Sequence, residues 1–370
     1  MMLLNKESKK TEKAQIRFIA FYLPQFHPIP ENDVWWGKGF TEWTNVAKAK
    51  PLFKNHIQPN IPADLGFYDL RLPETRIAQA DIAYKHGIEG FCYWHYWFSG
   101  KRILERPFTE VLKSGKPDFP FCLAWANESW SGIWHGTPNK ILIKQNYPGK
   151  QDYIDHAMSL LDAFADKRYI KVDNKPLFII YKPLEIPDIS TFIEVFQETA
   201  IKHGLPGLYI CGFTDSIIFD PKQYYLDAII YSGFNQIFFK KFYVQKNKFF
   251  INKLKNLFLH KLFDYPIRRY TYKIASKIWM NYPWFDYNYY PVVFPNWDNS
   301  PRTDKKGVII TESTPDLFRQ HVQQAINRIA DREAEKKIIF IKSWNEWAEG
   351  NYLEPDIRYG SKYLKIIKDL

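Results

Sequence analysis

Three carboxylates and two indoles crowd into the stretch FIKSWNEWAEGNYLEP, residues 340–355, directly after an apolar run. Glu346 and Glu349 stand three positions apart. In an extended chain their side chains diverge, whereas a turn brings them to one side, and Gly350 is placed to make that turn. Paired carboxyl groups suit glycosyl transfer to water or to another sugar. One group attacks or stabilises the oxocarbenium-like centre and the other protonates the leaving oxygen. Their pKa values must differ: Trp344 and Trp347 can raise one by excluding water while donors such as Asn345 keep the other ionised. A charged strand exit without chemistry is the plain alternative.

Other polar residues follow other apolar runs: His27, His95, Asn127 with Glu128, Lys182, Trp297 with Asp298, and Ser343. To hold a metal, His27, His95, Glu128 and Asp298 would have to converge from separate runs, and no local pair has ligand spacing. His135 and His156 read as surface or core histidines. The chain has neither a phosphate-cradling Walker loop nor a G-x-S-x-G elbow, so phosphoryl transfer and esterase chemistry are poorly supported. No metal and no cofactor is expected.

The elements that must position these residues alternate along the chain. Apolar, β-prone runs at 16–23, 90–96, 121–126, 177–181, 208–212, 228–231, 291–294 and 337–342 read as strands. Helical patterns at 73–86, 107–113, 153–165, 189–203 and 315–330 lie between them, and Gly87 is placed as a C-terminal cap. Eight short, wholly apolar strands with intervening helices predict a parallel sheet covered on both faces, closed into a (β/α)8 barrel. A doubly wound open sheet is the alternative, but no G-x-G-x-x-G follows an early strand. In such a barrel the residues just after each strand form the active face. The long loop after the first strand carries Trp35, Trp36, Glu42, Trp43 and Asn45, and loops of that length are commonly functional.

Thirteen tryptophans exceed what core packing usually requires and suggest flat, weakly polar ligands such as sugars, although any single aromatic is more often core. Cys92, Cys122 and Cys211 each sit inside an apolar run and imply no disulfide framework. Residues 1–15 read as a flexible tail without a secretory hydrophobic region, and no run is long enough to span a membrane, so a cytoplasmic location is the expectation. The net charge of +11 is concentrated, because residues 240–277 hold eleven Lys or Arg against one acid, Asp264. That favours a local basic surface over nucleic-acid binding. The surrounding segment, about 235–288, reads as a helical insertion between the sixth and seventh strands of a single domain covering 16–370. It suits either an amphipathic contact with an anionic membrane face or a solvated hairpin packed on the barrel.

The stretches FYLPQFHPIPENDVWWGKGFTEWTNV, GFCYWHYWF, LAWANESW and SWNEWAEGNYLEP together resemble the WbsX family of polysaccharide-biosynthesis proteins. That family is usually described as glycosyltransferases of O-antigen or capsule assembly, related to the family-99 glycoside hydrolases, endo-acting α-mannosidases with a (β/α)8 fold. The resemblance implies that Glu346 is the base that helps the sugar 2-hydroxyl attack its own anomeric carbon. It implies that Glu349 is the general acid and then base, with net retention of configuration. Tyr22, His27, Trp94, Tyr96, Trp125, Asn127 and Glu128 lie in the matching motifs and become candidate substrate contacts. The strand-end residues His95, Trp297, Asp298, Trp344, Asn345 and Trp347 join them.

Three functions follow. The first is glycosyl transfer in surface-polysaccharide biosynthesis on an oligosaccharide or lipid-linked glycan, with the basic segment at the inner membrane face. The second is a retaining endo-acting hydrolase of α-linked, mannose-type glycans. The third is a glycan-binding barrel without catalysis.

Overall fold

A strand buried on both faces has no polar side to alternate with, and the short apolar runs take that environment. The computed structural model describes residues 16–132, 137–233 and 268–370. The runs form β1 (Arg17–Tyr22), β2 (Ile88–His95), β3 (Phe121–Trp125), β4 (Lys175–Ile180), β5 (Tyr209–Thr214), β6 (Ala228–Tyr231), β7 (Tyr289–Val293) and β8 (Ile338–Ile341). Each pairs in parallel with the next, and β8 returns to β1 with Ile339 opposite Phe18, so the sheet closes. The expected (β/α)8 barrel is the fold observed. Cys92, Cys122 and Cys211 lie buried in β2, β3 and β5 with free thiols.

The outer layer is α1 (Pro73–Lys85), α2 (Arg106–Ser114), α3 (Lys150–Ala165), α4 (Ile189–Lys202), α5 (Tyr272–Trp279), α6 (Pro315–Arg328) and the closing α7 (Lys362–Asp369). Proline in the first turn starts α1, α2 and α6, where its missing N–H removes no helical bond. Between β5 and β6 a single 3-10 turn, Pro221–Tyr224, takes the place of a helix.

Of the expected insertion at 235–288, residues 235–267 lie outside the described residues, as does the tail at 1–15. The described remainder is built into the barrel wall. Arg268–Thr271 runs parallel to Val308–Thr311. In α5, Trp279 Nε1 donates to the Val292 carbonyl at 2.7 Å and the Tyr272 hydroxyl to the Phe294 carbonyl at 2.6 Å. This helix fills the barrel's own position between β6 and β7.

Aromatic rings fill the barrel interior towards the C-terminal ends of the strands. Phe21 stacks on Trp94 at 4.8 Å and on Phe340 at 5.4 Å between ring centres. Tyr181 meets both Trp94 and Phe213 at 5.3 Å. This layer separates the packed core from the space above it.

Close packing leaves no room for a side chain at Gly90 in β2, where a Cβ would lie 2.4 Å from the Pro120 carbonyl oxygen. Gly90→Ala is therefore expected to destabilise the fold by about 1–3 kcal/mol. The loss should appear as a lower urea midpoint with an unchanged slope; an unshifted midpoint would mean that Pro120 moves aside without cost.

Candidate active site

The chain turns sharply after β8. Asn345–Glu346 pairs antiparallel with Asn351–Tyr352, and between them Trp347–Glu349 forms one 3-10 turn. Gly350 closes it with φ of 57°, and a Cβ there would lie 2.9 Å from both the Cβ and the backbone nitrogen of Asp298. Glycine thus meets a left-handed conformation and a close approach at one position. The backbone N–H of Asp298 donates to the Glu349 carbonyl at 2.6 Å, which ties the turn to the loop after β7. The Asn345 side chain ties it to β1, accepting from the Leu23 N–H at 2.7 Å and donating to the Leu23 carbonyl at 3.0 Å.

This turn places Glu346 and Glu349, each 5% exposed, on one cavity of about 420 Å³ at the C-terminal end of the barrel. Trp94, Tyr181 and Phe213 form its floor, while Trp36, Trp130 and Trp297 line its sides. Indole and phenol faces with a few converging charges are the surface a sugar ring requires.

The two carboxyl groups have different surroundings. Glu346 Oε1 accepts from the Ser343 hydroxyl at 3.1 Å and from Trp94 Nε1 at 3.2 Å. Glu349 Oε1 accepts from Arg302 Nη1 at 2.5 Å. The Lys342 ammonium lies 5.8 Å from the Trp94 ring centre and 5.3 Å from that of Trp297. Burial pushes Glu346 upward, but Lys342, a hydrogen bond with Glu349 and the Arg302 guanidinium outweigh it and hold Glu346 below the usual carboxylate range. Burial, then the Glu346 charge, push Glu349 up to about 8 against the pull of Arg302 and Lys342. Two such groups side by side favour sharing one proton, and their surroundings bias it towards Glu349. Unequal surroundings of this kind separate the proton affinities of two neighbouring carboxyl groups.

Of the residues singled out in the sequence, Trp36, Glu42, Trp94, Tyr96, Glu128, Lys182, Trp297, Glu346 and Glu349 line this cavity. Glu128 is raised by burial, against the nearby Lys182. The remaining candidates do not line it. Tyr22 donates to Gln79 Oε1 at 2.7 Å, behind the β1 wall. His27 is buried, which pushes it down to about 4. His95 Nε2 is 2.9 Å from His156 Nε2, and the Trp125 ring stacks on Phe192 of α4. Asn127 joins the ends of β3 and β4, accepting from the Lys182 N–H at 2.7 Å and donating to the Lys182 carbonyl at 2.9 Å. Asp298 Oδ2 accepts from His56 Nε2 and Gln58 Nε2, each at 2.7 Å. Trp344, Asn345 and Trp347 lie buried behind the turn. His27, His95, Glu128 and Asp298 thus do not converge. Among the described residues no group of three or more His, Cys, Asp or Glu is placed to hold a metal ion.

Glu42, Arg302 and Lys342 also line the cavity, though the sequence marked only Glu42, and only as part of a long loop. Arg302 donates from Nε and Nη2 to Glu42 Oε2 at 3.0 and 2.9 Å. A contact across 260 positions leaves no local signal; position alone marks Lys342, the residue following β8.

Barrel and cavity together define a (β/α)8 protein whose candidate site lies at the C-terminal ends of its strands. Residues 18–367 match the family described as Glycosyltransferase WbsX, and the chain belongs to that family. It is 36% identical over 352 residues to an uncharacterised protein, WxcX, of Xanthomonas campestris pv. campestris strain B100, and likewise to WxcX of strain ATCC 33913. The match covers 94% of this chain and 48% of each relative, so the chain spans about half the length of these curated relatives. Among solved structures it is similar to the GH99 endo-α-mannosidase of Bacteroides thetaiotaomicron in complex with bis-tris propane, with a TM-score of 0.59, 15% identity and 95% of both chains covered. A glycoside hydrolase-like protein matches with a TM-score of 0.59 and 18% identity over 96% of this chain and 93% of that one. At these identities the likeness establishes a shared fold.

Behind the turn, Glu354 is buried and accepts from Trp347 Nε1 at 2.6 Å, Gln79 Nε2 at 2.6 Å and the Tyr68 hydroxyl at 2.9 Å. Burial raises it to about 7 in spite of these donors. A raised carboxyl favours the native state while protonated, so its contribution is present below the unfolded pKa and is lost as pH rises towards 7. Between pH 4.5 and 8 the loss should be on the order of 3 kcal/mol. Urea unfolding at both pH values should show a smaller pH dependence in Glu354→Gln than in the wild type. Equal dependence in the two would assign the effect elsewhere.

Proposed function

We propose that this chain transfers glycosyl groups in surface-polysaccharide (O-antigen or capsule) biosynthesis, with Glu346 and Glu349 as its catalytic pair. The observation that carries the reading is the placing of two carboxyl groups with unlike partners on one aromatic-floored cavity. Glu346, ionised, takes the proton of the sugar 2-hydroxyl, whose oxygen bonds to its own anomeric carbon. Glu349 gives its proton to the departing glycosidic oxygen as that bond breaks. The Glu349 carboxylate then accepts a proton from an incoming hydroxyl whose oxygen opens the anhydro ring, and the ring oxygen regains a proton from Glu346. Two inversions give net retention. Trp94, Tyr96, Glu128 and Trp297 contact the sugar, and the buried candidates support them from behind.

An acceptor sugar as the incoming hydroxyl makes the reaction a transfer; water makes it hydrolysis. The hydrolytic reading, a retaining endo-acting glycosidase on α-linked, mannose-type glycans, is supported by the same pair, which serves both. The glycan is carried on a lipid in the transfer reading, with the enzyme on the cytoplasmic membrane face. The concentration of Lys and Arg at 240–277, a stretch largely outside the described residues, supports that placement. Among the described residues no helix is long and apolar enough to cross a membrane.

The test is incubation with α-linked mannose-type oligosaccharides, with and without a lipid-linked acceptor, following product anomers by NMR. Turnover should follow a bell-shaped pH profile, with Glu346 on the acid limb and Glu349 on the alkaline limb near the value of about 8 given above. Glu346→Gln and Glu349→Gln should each lower kcat by about 10²–10⁴-fold. Retained product formed in water alone identifies a hydrolase, whereas activity only with the acceptor identifies a transferase. Binding that neither substitution alters, without turnover in the wild type, identifies a non-catalytic barrel.

A further inference from the structure

Glu42 begins the short helix Glu42–Lys48 in the loop after β1, and is buried at 3% exposure. Its Oε2 accepts from Nε and Nη2 of Arg302, while Nη1 of the same guanidinium reaches Glu349. Arg302 itself sits in the short helix Ser300–Thr303 after β7. The three groups therefore come from the loops of β7, β8 and β1, which are neighbours around the barrel.

The charges facing Glu349 can be taken element by element. Its own turn supplies Glu346, the end of β8 supplies Lys342, and the loops after β7 and β1 supply Arg302 and Glu42. Asp298, whose N–H holds the Glu349 carbonyl, is paired with His56. The phenols Tyr96 and Tyr181 are held neutral by burial. Among these described groups, Glu42, Glu346 and Glu349 face the two cations Arg302 and Lys342, and across the same cavity Glu128 lies near both Lys342 and Lys182. Full ionisation would leave one negative charge uncompensated out of water, and a proton on one carboxyl removes it. The Arg302 guanidinium meets Glu349 with one nitrogen and Glu42 with two, so its charge is shared between two carboxyl groups.

We propose that Glu42 is a positioning residue: by engaging two nitrogens of Arg302 it keeps that guanidinium from ionising Glu349, and so holds the acid in its proton-bearing form. The proposal rests on the reading of Glu349 as the general acid.

Infrared titration tests it without substrate, because a buried protonated carboxyl absorbs apart from carboxylates, and the band missing in Glu349→Gln belongs to Glu349. In Glu42→Gln that band should vanish at a pH lower by about one to three units, and in Arg302→Gln it should persist to higher pH than in the wild type. General loosening of the site does not move one group in opposite directions. An unmoved band in folded Glu42→Gln overturns the proposal. Should that variant fail to fold, Arg302→Gln decides, and a band that fails to persist to higher pH overturns it. With a glycan substrate, Glu42→Gln should shift the alkaline limb of kcat/KM downward by the same interval with KM unchanged. A raised KM with an unmoved limb would make Glu42 a substrate contact and overturn the proposal. Band shifts without turnover of any glycan would support the Glu42 linkage and count against glycosyl transfer instead.

Discussion

Two carboxyl groups held side by side away from water do not both keep a negative charge at neutral pH. Everything around Glu346 and Glu349 follows from that repulsion. The chain must force the groups together, must keep water out, and must make their surroundings unequal so that the proton has a definite home. One tight turn does the first: left-handed Gly350 against Asp298 brings positions 346 and 349 to the same cavity. The aromatic floor of Trp94, Tyr181 and Phe213 does the second. The third falls to Lys342, Ser343 and Trp94 on the side of Glu346, and to Arg302, shared with Glu42, on the side of Glu349.

A turn under such repulsion needs restraint from outside itself. Asn345 clasps the backbone of Leu23, and Trp347, placed between the two glutamates, donates to Glu354 and stacks on Tyr352 at 3.7 Å between ring centres. Glu354 is in turn held by Gln79 of α1 and by Tyr68. Buried polar groups are costly when unpaired and rigidifying when satisfied. This network therefore fixes a turn whose own charges would otherwise open it.

The barrel was legible because its signal is local: each strand is a short run of apolar residues, and each run bounded by a helical pattern became one stave. The site was legible only where sequence position and strand phase agree. Successive residues of a strand point to opposite faces, so Phe21 and Trp94 reach the barrel interior whereas Tyr22 and Tyr93 pack together outside it. Being aromatic and near a strand end did not separate these cases, which is why Tyr22 and Trp125 were grouped with Trp94. His95 and Asn127 sit at strand exits yet serve His156 and Lys182. Arg302 carries no signature at all, because its meaning depends on partners 47 and 260 positions away.

The distribution of these groups over the barrel has a further consequence. The carboxyl pair sits on one loop, so its separation is fixed by a single turn and changes little when other loops change. The groups that tune it come from the exit of β8 and from β2, and from the loops after β7 and β1, which flank β8 on either side. The floor comes from β2, β4 and β5, and the far wall from the loops after β3, β4 and β5, with Glu128, Glu185 and Asp215. The carboxyl pair, the charged groups beside it and the polar wall facing it therefore sit on different loops of one frame. Loop variation in such a frame can reshape the wall that faces a ligand while leaving Glu346 and Glu349 where they are.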